Sequence, residues 1–159
     1  TALSITEALH DLDHTIDLNV KWPNDILINE KKTAGLLCQA VEDGVVIGIG
    51  LNVSMQIEEL PVETATSLLL KNFRELDRNI IVKKILKIFE AKYSLWNLSG
   101  SAQFISEYEK ACSSLNRQIQ ITLPNHAPKD AMAIGVTRLG ELILEDGSLV
   151  NSADVVHLR

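Results

Sequence analysis

Lys21-Trp22-Pro23-Asn24-Asp25, followed after six intervening residues by Lys32-Thr33-Ala34-Gly35-Leu36, is the most informative stretch of the chain. Just upstream, Leu18, Val20 and Trp22 alternate with Asp17, Asn19 and Lys21. That is the period of a half-buried strand. The run stops at Pro23-Asn24-Asp25, because proline fixes φ and Asn and Asp bond their own backbone in turns. Ile26 to Ile28 resumes an extended pattern, Asn29-Glu30-Lys31-Lys32 forms a polar tip, and Ala34 to Val41 returns as a strand, so a hairpin is expected. Glu42-Asp43-Gly44 supplies a second tight turn. Val45 to Val53 then reads as a third strand, expected to be central because it is apolar on both faces.

Outward from this core, Ala2, Ile5, Ala8, Leu9 and Leu12 predict a helix over residues 2 to 12 with one buried face. Thr64 to Phe73 reads as a short helix. Ile81, Ile85, Ile88, Phe89, Lys92 and Trp96 fall on one stripe of a longer helix over about 79 to 98. Gly100 and Ser101 end that helix and cap the next, which carries Phe104, Ile105, Tyr108, Ala111 and Cys112. From Leu115 the period returns to two: Ile119, Ile121 and Leu123 alternate, Leu139-Gly140 separates two further runs, and Asp146-Gly147 is a hairpin signal. The class is therefore α+β, with a boundary expected between residues 1–114 and 115–159, the second part a small barrel.

A chain of 159 residues, 46% of them hydrophobic, can bury a real core. With 21 acidic against 15 basic residues, and no Lys/Arg stripe, a nucleic-acid footprint is not expected. Apolar runs such as Val45 to Val53 fall short of the roughly 20 residues that cross a bilayer, so no membrane association is expected. Cys38 and Cys112 form no C-x-x-C pair and read as buried free thiols. His10, His14, His126 and His157 are given no role and no metal site is expected; Trp22 and Trp96 read as core. The opening residues look like the interior of an amphipathic helix, so the chain is expected to begin part-way through a larger protein.

A lysine at a strand end, beside a bulky aromatic and a rigid turn, holds its ammonium in a defined place and suits an anion. Taken by themselves, Lys21 reads more readily as a solvent-facing charge and Lys32 as a solvated tip, while Gly35 reads equally as a strand bulge. Gly48-x-Gly50 alone is a poor dinucleotide fingerprint, since the third glycine and a following helix are missing. Asn24 and Asp25 read as turn builders.

Together these blocks resemble the biotin protein ligase family, in which K-W-P-N-D is followed at this spacing by K-x-x-G-[IL]. Gly48-Ile49-Gly50-Leu51-Asn52-Val53 is similar to the family's G-x-G-[IL]-N strand, and Thr66-Ser67-Leu68 resembles a further short element. The resemblance implies a class II synthetase-like mixed sheet with helices on one face, then an SH3-like barrel. It implies that Lys21 stabilises charge between the biotin carboxylate and the α-phosphate of ATP. Gly35 and Leu36 would line the biotin site, Gly48 and Gly50 would leave room for the bicyclic ligand, Asn52 would meet adenine, and Lys32 would contact phosphate. Biotin, ATP and Mg2+ are implied as substrates and activating ion, a biotin carboxyl carrier protein domain as the acceptor, and the cytoplasm as the location. A weak homodimer through an outer strand is expected. The family's Gly/Arg-rich G-R-G-R-x-G loop does not occur in this sequence, so these residues are expected to be an incomplete ligase. Three other readings remain open: a lipoate-type ligase, which shares the fold and a similar N-D turn; a non-catalytic binding or paralogous module; and a purely structural or interaction protein, against which the Lys21 and Asn52 blocks argue.

Overall fold

The computed structural model describes residues 1–123 and 127–158, so His126 lies outside the described residues. The architecture is α+β, with two antiparallel sheets and few helices. The chain divides into two compact units, Thr1–Val20 with Asn24–Ser94, and Lys21–Pro23 with Leu95–Arg159. The division expected after residue 114 falls inside the second of these.

In the first unit, helix α1 (Ala2–Leu12) buries Leu3, Ile5, Ala8 and Leu9 on one face. It ends where Asp13 turns extended, with the Asp13 N–H still reaching Leu9 O at 2.9 Å. Four strands follow, β1 (Leu18–Lys21), β2 (Asp25–Ile28), β3 (Lys31–Val41) and β4 (Gly44–Leu51), in the order β1-β2-β3-β4. β2–β3 and β3–β4 pair antiparallel, and Lys32 and Ala65 form an isolated parallel bridge. The β2–β3 tip is a tight turn in which Asn29 and Glu30 both have positive φ, as a two-residue hairpin loop requires. Helix α2 (Arg78–Ser99) turns Ile81 and Ile85 into a core shared with Ile5, Leu9, Ile26, Ile28 and Leu68.

Several expectations need correction. The strand expected to be central, β4, is at the end of the sheet, with Val45 60% and Val46 58% exposed; apolar composition on both faces does not itself bring a neighbour. Residues 64 to 73 form only one 3-10 turn, Leu69–Lys71. Their backbone is committed elsewhere: Lys32 N–H donates to Thr64 O, Thr66 N–H to Lys32 O, Leu68 N–H to Asn52 O and Leu69 N–H to Val53 O. Groups so used cannot join a helical ladder. Trp96 lies on the expected stripe yet is 48% exposed, and Cys38 is exposed while Cys112 is buried. Ser101 makes no side-chain cap; its hydroxyl donates to Arg138 O.

The second unit holds helix α3 (Ile105–Ala111) and strands β5 (Arg117–Thr122), β6 (Lys129–Val136), β7 (Leu142–Leu144), β8 (Leu149–Val150) and β9 (Asp154–His157). Their order is β8-β7-β6-β5-β9, all antiparallel. Among the described residues β8 and β9 are the two ends of an open sheet, where a closed barrel was expected. Gly140 and Gly147 take φ of +83° and +81° in the tight connections flanking β7, a conformation that costs an L side chain energy.

Candidate functional site

The first unit brings three strands into one row. Asp25 of β2 pairs with Gly35 of β3, which pairs in turn with Gly50 of β4; two residues along, Leu37 pairs with Gly48. Side chains in register share a face, so Gly35, Gly48 and Gly50 leave a strip of bare backbone there. An added Cβ would stand 3.7 Å from Gly35 O at position 50 and 3.6 Å from Leu37 O at position 48, both ordinary contacts. Packing within the chain therefore does not demand glycine at 48 or 50, and both are exposed. Gly35 differs: its Cβ would come within 3.3 Å of Lys32 Cε and Nζ and 3.5 Å of Asp25 Oδ1. That space is taken by an ion pair, with Lys32 Nζ 2.6 Å from Asp25 Oδ1.

The two sequence blocks are joined through Asn24. Its Nδ2 donates to Leu36 O at 2.7 Å, and Leu36 N–H donates to Asn24 O at 2.8 Å. The Leu36 side chain is buried in the core, so its backbone is the part this clamp fixes. Asn52 is tied down similarly: its N–H donates to Thr33 O, its carbonyl accepts from Leu68 N–H, and its Nδ2 donates to Thr66 O at 3.0 Å. This explains why Thr66-Ser67-Leu68 accompanies the glycine strand. The Ser67 hydroxyl donates to Met55 O at 2.7 Å and closes the same loop.

Lys21 is the last residue of β1 and is half-buried, with Trp22 beside it. Lys21, Trp22 and Pro23 belong to the second unit. There Trp22 is buried; its N–H donates to Ser114 Oγ at 3.2 Å and its indole Nε1 to Gly140 O at 2.8 Å. Ser114 Oγ is 3.0 Å from His157 Nε2. Burial pushes the Cys112 thiol and the Tyr108 hydroxyl above their ordinary values, which keeps both protonated and poorly nucleophilic. His10 and His14 stand side by side on the surface, their Nδ1 atoms 3.3 Å apart.

Of the residues singled out by sequence, Lys32, Gly35, Gly48, Gly50 and Asn52 lie together on β3 and β4 or at the end of β4, while Lys21 lies in the other unit. Sequence reasoning missed Asp25 as the partner of Lys32 and Asn24 as the clamp on Leu36. No sequence signal gave these pairings: a two-residue tip with Ile28 opposite Lys31 would put residue 25 opposite residue 34, and the register shift between Ile26 and Leu27 moves it to Gly35.

Residues 1–54 match the family model for the biotin/lipoate A/B protein ligase family. The biotin–[acetyl-CoA-carboxylase] ligase of Mycobacterium tuberculosis is 33% identical over 146 residues, covering 90% of this chain and 54% of that protein. The bifunctional ligase/repressor BirA of Bacillus subtilis is 34% identical over 151 residues, covering 88% of this chain and 46% of its own length. The biotin protein ligase of Aquifex aeolicus, solved in complex with biotin and ATP, superposes with a TM-score of 0.82 at 26% identity, over 99% of this chain and 68% of that one. Over most of its length the chain is similar to biotin protein ligases. It spans about half the length of the curated biotin ligases it matches. Among the described residues no helix is long and apolar enough to cross a membrane.

Proposed function

We propose that this chain forms part of an ATP-dependent biotin protein ligase, and that its glycine strip is the floor of the pocket in which biotin is activated. The observation that carries this reading is the bare backbone at Gly35, Gly48 and Gly50 beside the Asp25–Lys32 pair, in a chain related to biotin ligases. Exposed glycines that internal packing does not require fit close approach by a flat bicyclic ligand. The finer assignments follow the same reading. Residues 1–114 are the catalytic part, of class II synthetase-like type, and 115–159 the C-terminal domain, of SH3-like type. The protein works in the cytoplasm, and an outer strand with unpaired backbone groups supports a weak homodimer.

The reaction has two steps. A biotin carboxylate oxygen attacks the α-phosphorus of ATP, forming the C–O–P bond of biotinyl-5'-AMP as the bond to pyrophosphate breaks. A lysine amine of a biotin carboxyl carrier protein domain then attacks the acyl carbon, giving the amide and releasing AMP and a proton. Lys21 is assigned the charge that develops between carboxylate and α-phosphate, where a fixed cation stabilises the transition state. Gly35 and Leu36 offer backbone to biotin, Gly48 and Gly50 offer space, and Lys32 meets an anionic group. The Asn52 carboxamide, with its Nδ2 on Thr66 O, is left to present Oδ1 to the adenine amino group. Among the described residues no group of three or more His, Cys, Asp and Glu side chains could hold a metal ion. Mg2+ needs only one or two carboxylates beside the substrate phosphates, and no step is drawn through it.

The test is pyrophosphate release by the natural polypeptide that carries this sequence, with biotin and ATP. Lys21→Ala is expected to raise the barrier by about 2 to 4 kcal/mol, roughly 30- to 1,000-fold in rate, while biotin affinity changes little. A wild-type rate in that variant removes Lys21 from the mechanism. Activity with lipoate in place of biotin moves the protein to the lipoate-type reading. The 159 residues taken alone are expected not to biotinylate a carrier domain, since they contain no Gly/Arg-rich loop to exclude water from the mixed anhydride. A stoichiometric mass gain on the carrier overturns that expectation.

A further inference from the structure

Helix α1 ends in two imidazoles that the function proposed above does not use. His10 stands in its last turn and His14 just beyond the Asp13 cap, and both are exposed. Side chains four residues apart on a helix are neighbours, and the turn through Asp13 preserves that approach. The rings meet edge to face with centroids 4.8 Å apart, and their Nδ1 atoms lie 3.3 Å from one another. Two neutral imidazoles with facing Nδ1 atoms share a single proton, one nitrogen donating and the other accepting. The same spacing suits a metal ion. Bonds of about 2.0 to 2.1 Å at a tetrahedral angle set two nitrogens about 3.3 to 3.4 Å apart, the separation found here. The ring torsion of histidine is broad, so exposed rings can turn both lone pairs toward one point. The surroundings also favour a cation. The last carbonyls of a helix carry partial negative charge, and His10 lies among them. Asp11 is 2.7 Å from Lys84 through Oδ2. Its hydrogen bond from Lys84 holds the carboxyl below the ordinary value, and the charges of His14 and His10 add to the effect, so a negative charge stands near the pair at neutral pH. The Asp13 carboxylate is committed to Thr15 and to the Arg74 N–H and is no ligand.

We propose that His10 and His14 form a site for a borderline divalent transition metal such as Zn2+, Cu2+ or Ni2+, held by the two Nδ1 atoms with its other positions open to water. Imidazole nitrogens suit these ions, whereas Mg2+ and Ca2+ take oxygen ligands. On binding, the Nδ1 proton of one ring passes through solvent to its Nε2, so both rings become Nε2–H forms and no net proton is released. The ion ties the last turn of α1 to the segment that leads into β1. The site takes no residue from the glycine strip and stands independently of the ligase reading.

The experiment titrates the natural polypeptide that carries this sequence with Zn2+ at neutral pH by calorimetry, with Mg2+ as the contrasting ion. It is compared with its His10→Gln, His14→Gln and doubly substituted forms. All four carry Cys38→Ser, because an exposed thiol is itself a zinc ligand. One Zn2+ site is expected to weaken at least about tenfold in each single variant, with little further loss in the double one, since a chelate needs both nitrogens. Both side chains are exposed, so the variants should melt like the metal-free parent, and the rise in Tm that Zn2+ gives the parent should be lost. Long-range 1H–15N spectra of the parent read the site without any substitution. One Nδ1–H ring and one Nε2–H ring are expected in the absence of metal, and two Nε2–H rings under saturating Zn2+. Zn2+ binding that is the same in all four proteins or absent from all, loss in one single variant only, displacement of Zn2+ by comparable Mg2+, or tautomers unchanged by Zn2+ each overturn the proposal.

Discussion

In the second unit Ile119, Ile121, Ala133, Leu142, Leu144 and Val155, from β5, β6, β7 and β9, are all buried; in the first, β3 and β4 leave Leu37, Val41, Val45, Val46 and Ile49 in the open. The strands are comparably apolar, so composition is not the difference. In the first unit Ile26, Ile28, Ala34 and Leu36 of the sheet join the core that the helices share. Beyond Leu36 the same strands present backbone and surface. The second sheet still exposes Ile134, Leu149 and Val156, but its exposed apolar side chains are scattered, whereas those of the first gather on β3 and β4 beyond Leu36. The exposed glycine strip lies in that uncovered part.

The comparison can be broken most sharply in the second unit. Leu142→Ala removes a fully buried side chain and is expected to cost about 2 to 5 kcal/mol, read as a lower urea midpoint at unchanged slope. A loss below about 1 kcal/mol would mean that the second sheet is as loosely covered as the outer half of the first.

An intermediate effect is expected where the first unit relies on a buried charge. Asp13 Oδ1 accepts from the Thr15 hydroxyl at 2.6 Å and the Thr15 N–H at 3.0 Å, and Oδ2 accepts from the Arg74 N–H at 3.1 Å. Bonds to Thr15 hold its carboxyl below the ordinary carboxylate value. A depressed folded-state value means that the stabilisation is present above the unfolded value near pH 4 and is lost as pH falls through the lower, folded one. Asp13→Asn should therefore lower the midpoint at neutral pH and flatten its fall in acid. Parallel acid profiles for the two proteins would remove Asp13 from the acid response.

The smallest effect tests the open half of the first sheet. Val45→Thr replaces an exposed methyl with a hydroxyl on the end strand, and the midpoint should move by no more than about 0.5 kcal/mol. A loss several times larger, growing with protein concentration, would show that β4 is covered by another chain in solution.

Much of this was legible beforehand, for definite reasons. The spacing of Ile5, Ala8 and Leu9 and of Ile81 and Ile85 reports a helical stripe; the polar stretch Asn29 to Lys32 between two apolar runs reports one hairpin, and Asp146-Gly147 another because few residues tolerate that turn. The pairing of Lys21–Asp25 with Lys32–Leu36 at fixed distance marked the stretch proposed here as functional. Other features could not be read along the chain. The helix expected at 64 to 73 failed because its backbone groups are spent on Lys32, Asn52 and Val53, partners that no local pattern reveals. Val45 and Trp96 failed because period and apolarity describe a face without saying what covers it. The sequence by itself determined the strand and helix periods, the turns and the motif blocks, all of which depend on residues a few positions apart. Only the tertiary structure decided that Asp25, Gly35 and Gly50 form one row, that Asn24 clamps Leu36, and that Asp25 grips Lys32, because cross-strand register and hydrogen-bond partners are settled by segments meeting in space.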